Sequence, residues 1–308
     1  MSGFKAMMAR PETVSMTLVM GGALWGLFWV PMRMIAQSGL SGVWPGMMIY
    51  ITTAILLLPV VWVRRAEVLR HWRSMVVCGL LTGAAFNLYA TSLLMTDVVR
   101  AILLFYLTPV WGTLLGLLLL GERLTVPRVS ALMLGLVGLV VVLGTEGGFP
   151  WPRNLGDVMA LLSGMFWAYG SMKLYQAREV GIAEQMIGFI GGSIVVGVIL
   201  VLLGGETFGG VPRVDMVMSA AFWAVLTALY FVPMLLMTLW PSSLLPPGRA
   251  GLLLMSEVLV GVISAALWAG EVFGWREAIG SVMIIGAGFV EVLGPRFTKA
   301  GRAEANIS

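Results

Sequence analysis

The chain is predicted to be an all-α integral membrane protein, on three observations. Of its residues 59% are hydrophobic and 11% charged, with a mean hydropathy of +0.96, against roughly 25% charged in an ordinary soluble domain. The apolar residues fall into ten stretches near 20 residues long, the length at which a helix crosses a hydrocarbon core of about 30 Å. One stretch also occurs twice: Arg100 to Glu122 aligns without a gap on Arg249 to Glu271 at an offset of 149, sharing the Arg-Ala start and the Gly-Glu stop.

Polar punctuation sets the predicted spans in order. The first, 14 to 36, carries Arg33 near its end, is too long for a cleaved secretory signal and is followed by nine more. The second, 44 to 63, stops at Arg64-Arg65, and the third, 75 to 95, follows that basic run and ends before Asp97. The fourth, 99 to 120, is the first repeat copy, and the fifth, 127 to 145, is Gly-rich at Gly135, Gly138 and Gly144. The second half continues with 155 to 176, 185 to 204, 216 to 239, the second copy at 249 to 269, and 275 to 294. None shows the alternation of a lipid-spanning strand. The connections are too short to hold a soluble domain.

Lys and Arg placement predicts the orientation. With the N-terminus inside, fourteen cations fall in cytoplasmic segments and four, Arg100, Arg153, Arg213 and Arg276, outside. Both termini are therefore expected in the cytoplasm, and the basic balance is a topology signal, not one for nucleic acid. Five helices separate the two copies, an odd number, so the halves, 1–147 and 148–308, are predicted as inverted five-helix repeats of one membrane domain. Gly22, Trp25 and Gly26 of the first span align with Gly164, Trp167 and Ala168 of the sixth at an offset of 142. Inverted repeats let one central site open to either side in turn.

Catalysis is not expected. There is one His, His71, one Cys, Cys78, and three Asp, all near helix ends; no acid dyad, nucleophilic triad or metal cluster can be assembled from them at membrane depth. No cofactor and no metal are expected. The loop from Gly204 to Gly210 lacks the context of a phosphate loop and is predicted to be a connector.

Leu107-Thr108-Pro109-Val110, the small-residue stretch after it, Leu120-Gly121-Glu122-Arg123-Leu124 and the Gly-rich fifth span resemble the drug/metabolite transporter superfamily in its EamA-like exporter branch. The second copy departs from this pattern, carrying Ser256-Glu257 against Thr108-Pro109 of the first. Within the branch, the Trp-rich first span and the FNLYATSLL run look most like bacterial aromatic amino acid exporters. That resemblance implies a plasma-membrane exporter with a cavity lined by helices one, three, four, six, eight and nine, with five and ten bracing the outside. A monomer is expected, with a dimer left open.

Glu257 is the sharpest single residue. It lies eight residues past Arg249, some 12 Å into the bilayer at about 1.5 Å per residue, where a carboxylate costs roughly 2.5 to 3.5 kcal/mol unless it faces a wet cavity or is protonated. It either binds a substrate ammonium or takes up a proton, or else it is a neutral acid bonded between helices. Asn87 and Thr108 are the other deep polar groups, each serving a ligand or bonding across helices. Glu291 and Lys173, nearer the helix ends, need only snorkel or pair.

The expected cavity helices also concentrate aromatics, among them Trp25, Tyr89, Tyr106, Trp167 and Tyr230, whose flat faces suit aromatic or cationic substrates but equally serve packing. Trp25 and Trp167 stand out because the pseudo-symmetry makes them equivalent. Pro31, Pro59, Pro109 and Pro233 are expected to kink helices, Pro109 as a gating hinge, while Arg33 anchors the outer end of the first helix or gates the exit.

The function expected is export of aromatic and other neutral amino acids and related small metabolites by alternating access, facilitative or proton-linked. Efflux of cationic drugs is the alternative within transport. A non-transporting membrane scaffold or a lipid-modifying enzyme is the alternative from another class, opposed by the lack of a soluble domain and of catalytic clusters.

Overall fold

The computed structural model describes residues 11–96, 101, 104–143, 152–177, 179–268, 274–276 and 278–290. Every described element is helical: α1 (Pro11–Leu27), α2 (Trp29–Ala36), α3 (Trp44–Val63), α4 (Arg65–Met95), α5 (Thr108–Leu120), α6 (Val126–Leu143), α7 (Leu155–Gln176), α8 (Ile182–Gly204) with a 3-10 turn at Gly205–Phe208, α9 (Val214–Ser242), α10 (Pro247–Leu254), α11 (Ser256–Trp268) and α12 (Ala278–Val290). No strand occurs among the described residues.

Helix occupies part of all ten predicted ranges. Six stretches are long and apolar enough to cross a membrane: Pro11–Ala36, Trp44–Val63, Arg65–Ser92, Ile182–Phe208, Val214–Ser242 and Pro247–Trp268. Thr108–Leu120, Val126–Val141 and Ala278–Val290 are shorter apolar helices, so the count of ten crossings stays a reading of the sequence. Helix α7 is long but less apolar because it is central: Asp157, Ser163, Ser171, Gly164 and Gly170 are all among its buried residues. Arg100, Asp97, Glu271 and Glu291 lie outside the described residues.

Small residues decide which helices meet closely. A Cβ at Gly79 of α4 would lie 2.0 Å from the Gly188 carbonyl oxygen of α8, and one at Gly192 would lie 2.0 Å from that of Gly79. No side chain larger than hydrogen fits between these backbones. The Gly22/Gly26 pair works the same way, with a Cβ at Gly26 falling 2.5 Å from the Glu257 carbonyl oxygen. Past its C-terminal end α4 is tied to α7 through Asp157, which accepts from Thr96 Oγ1 at 2.6 Å and from the Arg153 backbone at 2.9 Å.

Two predicted helices are broken near their middles, at matching places. The fourth span turns at Tyr106 and Leu107 before α5 begins; the ninth turns at Met255, between α10 and α11. At the offset of 149 Tyr106 falls opposite Met255. Residue by residue, that offset sets Leu107 and Thr108 against Ser256 and Glu257, and Pro109 against Val258, so the dipeptide pairing read from the sequence is corrected by one position.

The chemistry of the first break is local. Pro109 has no N–H to give the Phe105 carbonyl four residues back; Thr108 Oγ1 donates to that oxygen instead, at 2.6 Å. Pro109 therefore sits in the first turn of α5, not inside a continuous helix. Pro31 is likewise just past a break at Phe28, whereas Pro59 and Pro233 lie within α3 and α9.

The Gly-Glu stop of the first copy also has a physical reason. Gly121 ends α5 with φ +64°, a left-handed conformation that costs any residue with a Cβ. The chain then turns so that Glu122 receives Arg128 of α6 at 2.7 Å.

Candidate functional site

The two breaks face a common cavity between α1, α4, α7, α9, the first repeat copy and the second. It is lined by Trp25, Phe86, Tyr89, Phe105, Tyr106, Thr108, Trp167, Thr238, Gly251, Leu254 and Glu257. Each break turns its residues inward: Phe105, Tyr106 and Thr108 from one, Leu254 and Glu257 from the other. Counted to its mouth the cavity is about 470 Å³, but its interior has room for only about three water molecules.

Glu257 is half-buried, and its Oε2 accepts from the Tyr106 hydroxyl at 2.6 Å. It is the one carboxylate in the lining, and no Lys, Arg or His accompanies it. The same Tyr106 hydroxyl lies 3.4 Å from the carbonyl oxygen of Leu254, on the turn before Glu257. One phenol therefore links the broken segment of the first copy to that of the second.

The walls are mostly aromatic. Tyr89 stacks on Phe105 with centroids 4.3 Å apart, and Phe105 meets Tyr106 edge-on at 5.2 Å. Trp25 packs on Phe86 at 4.7 Å, while its Nε1–H donates to Thr238 Oγ1 at 3.0 Å. That bond fixes the indole plane against α9. Trp167, 7% exposed, comes from α7, at the position that aligns with Trp25 at the offset of 142.

Six of the eight predicted binding residues thus line one cavity: Glu257, Trp25, Trp167, Tyr89, Tyr106 and Thr108. Asn87 and Tyr230 do not. Asn87 points to α8, where its Nδ2 donates to the Ser193 carbonyl oxygen at 2.9 Å; it also donates to the Gly83 carbonyl oxygen of its own helix at 3.1 Å. The Tyr230 hydroxyl donates to the Leu24 carbonyl oxygen, joining α9 to α1. Arg33 is exposed near the end of α2, away from the cavity.

Five lining residues are not among the eight: Phe86 and Phe105, which belong to the aromatic concentration of the cavity helices, and Thr238, Gly251 and Leu254. Thr238 carries the same signal that singled out Asn87, a polar group deep in an apolar span. Gly251 and Leu254 carry none beyond membership of the repeat.

The fold and site define a class: a helical membrane protein with an aromatic, singly acidic central cavity built where two related helices break. Residues 13–144, under half of the chain, match the model of the EamA-like transporter family. A solved crystal structure of a protein shares the fold, with a TM-score of 0.68 over 94% of this chain and 98% of that one at 18% identity. No curated protein matches the chain by sequence.

Proposed function

We propose that this chain is a secondary transporter whose central cavity takes small molecules that combine a positively charged nitrogen with a flat or apolar body. The observation that carries this is the lining: one carboxylate, no cationic side chain, and walls of Trp, Tyr and Phe. A desolvated cation gains from both the carboxylate and the aromatic faces. A free carboxylate on the substrate finds no charged partner there.

Amino acids are the second reading, favoured by one feature. Helix α5 begins at Thr108, in the cavity wall, and a half-helix N-terminus offers partial positive charge to a carboxylate. In that reading the ammonium sits at Glu257 and the carboxylate at the start of α5.

Transport is proposed to proceed by alternating access of the two inverted halves, 1–147 and 148–308, in ten crossings, with both termini on the cytoplasmic side of a bacterial plasma membrane. Glu257 is also the group through which a proton would be exchanged. Export is the direction implied by the resemblance. The room for only about three waters means the walls must part to admit a substrate.

Flux in proteoliposomes tests this with compounds sharing one ring: phenethylamine, a cation, and phenylalanine, a zwitterion. Faster uptake of phenethylamine, competitively blocked by other amines and not by phenylalanine, supports the first reading. The reverse order replaces it with the second, and no flux of either overturns both.

A further inference from the structure

Helix α4 is longer than a crossing requires, and its surplus is basic. Its 31 residues extend roughly 46 Å at about 1.5 Å per residue, so about ten residues exceed a hydrocarbon core of about 30 Å. At its start lies the sequence RAEVLRHWRS. Trp62, Val63, Leu69, Trp72 and Val76 are exposed along this corner, Trp62 at 71% and Leu69 at 72%. Arg65, Arg70 and Arg73 are exposed among them, and at the helical repeat Arg65, Leu69, Trp72, Arg73 and Val76 share one side.

Internal acids do not occupy these cations. Glu67 faces His71 at 3.6 Å, and Glu184 holds Arg64 at 2.7 Å. Among the described residues Arg65, Arg70 and Arg73 make no ion pair. Two of them instead lie on indole faces, Arg65 at 4.8 Å from the Trp62 ring and Arg73 at 5.6 Å from the Trp72 ring. A guanidinium stacked on a ring still presents its edge, the fork that fits two oxygens of one phosphate.

We propose that the corner from Trp62 to Val76 binds the headgroups of anionic phospholipids in the leaflet at this end of the bundle. The apolar side chains continue the lipid-facing surface of the span. The indoles sit at headgroup level, where amphipathic rings concentrate. Three guanidinium groups then face the phosphate layer, and charge complementarity selects lipids of net negative charge over zwitterionic ones. This holds whatever the cavity transports.

Native mass spectrometry of the full chain, released from bilayers of mixed phosphatidylglycerol and phosphatidylcholine, tests the site. The wild type should retain phosphatidylglycerol preferentially. The triple variant Arg65→Gln/Arg70→Gln/Arg73→Gln should lose on the order of 100-fold in that preference, at about fivefold per cation. The corresponding triple Lys variant, which keeps the charge, should retain most of it. An undiminished preference in a folded Gln variant would overturn the proposal. If that variant does not fold, the wild type decides: a preference unaffected by high ionic strength, which screens exposed charges, overturns it equally.

Discussion

Replacing Glu257 by Gln removes the cavity's one negative charge while keeping the side chain's shape. The Gln oxygen can still accept from Tyr106, so the 2.6 Å bond that links the two broken segments need not be lost and thermal stability should change little. Since Tyr106 already occupies Oε2, a substrate ammonium has Oε1 to meet. That is one charge-assisted hydrogen bond, worth about 1.5 to 3 kcal/mol, which converts to roughly a 10- to 150-fold weaker Kd. With space for only about three waters, solvent screens the contact poorly, which favours the upper part of that range. Calorimetric titration of purified wild type and Glu257→Gln with phenethylamine measures the loss, and neutral 2-phenylethanol, which should bind both alike, is the control. A phenethylamine Kd within twofold of wild type in a variant that melts normally would refute the assignment of Glu257 to the substrate's cation.

Asn87→Ala removes one buried hydrogen bond to α8 and one within α4 and should lower stability by about 1 to 3 kcal/mol with unchanged substrate affinity; a specific loss of affinity would return Asn87 to the binding site. Gly121→Ala should cost about 1 to 2 kcal/mol through its positive φ alone, because nothing lies within 4 Å of the added Cβ, and an unshifted melting curve would contradict the turn geometry. Gly79→Ala, whose Cβ would meet the Gly188 backbone at 2.0 Å, should leave little folded protein in fluorescence-detected size exclusion. The exchange Thr108→Glu/Glu257→Thr moves the acid to the pseudo-equivalent position and should recover part of the phenethylamine affinity that Glu257→Thr alone loses; no recovery would mean that the two positions do not address the same ligand.

Much of the architecture is legible because membrane helices announce themselves by length and apolarity, and because the repeat is literal at Arg-Ala and Gly-Glu. What the sequence hides is azimuth. A helix that is apolar nearly all round carries no stripe to say which face meets a neighbour and which meets a cavity. Asn87 and Thr238 give the same signal, a polar side chain deep in a span, yet one is spent on an α8 carbonyl and the other holds Trp25 at the cavity. Trp25 and Trp167 escape the ambiguity because a second relation, the 142-residue offset, constrains them together. Breaks are hidden for a related reason. Pro109 marks the first, but Val258 takes its place in the second copy, and there the turn at Met255 comes without a proline.

The match at the breaks separates mechanics from chemistry. Two segments that align at the offset of 149 leave the helix at the same place, Tyr106 and Met255, beside the cavity. At the position just past each break the halves differ: Thr108 spends its hydroxyl on its own broken helix, at the Phe105 carbonyl, while Glu257 receives a hydroxyl from the opposite half. A charge in both copies would place two carboxylates in one narrow cavity, where like charges disfavour each other's ionisation. A charge in neither would leave a cation nothing to neutralise it. In the alternating-access cycle proposed above, one acid on a paired frame reconciles the two demands: the halves would exchange near-equivalent shapes while a single charge stays with the substrate. In that cycle the Tyr106 hydroxyl, which comes from the copy that lacks the acid and donates to Glu257, would tie the state of that charge to the relative position of the halves.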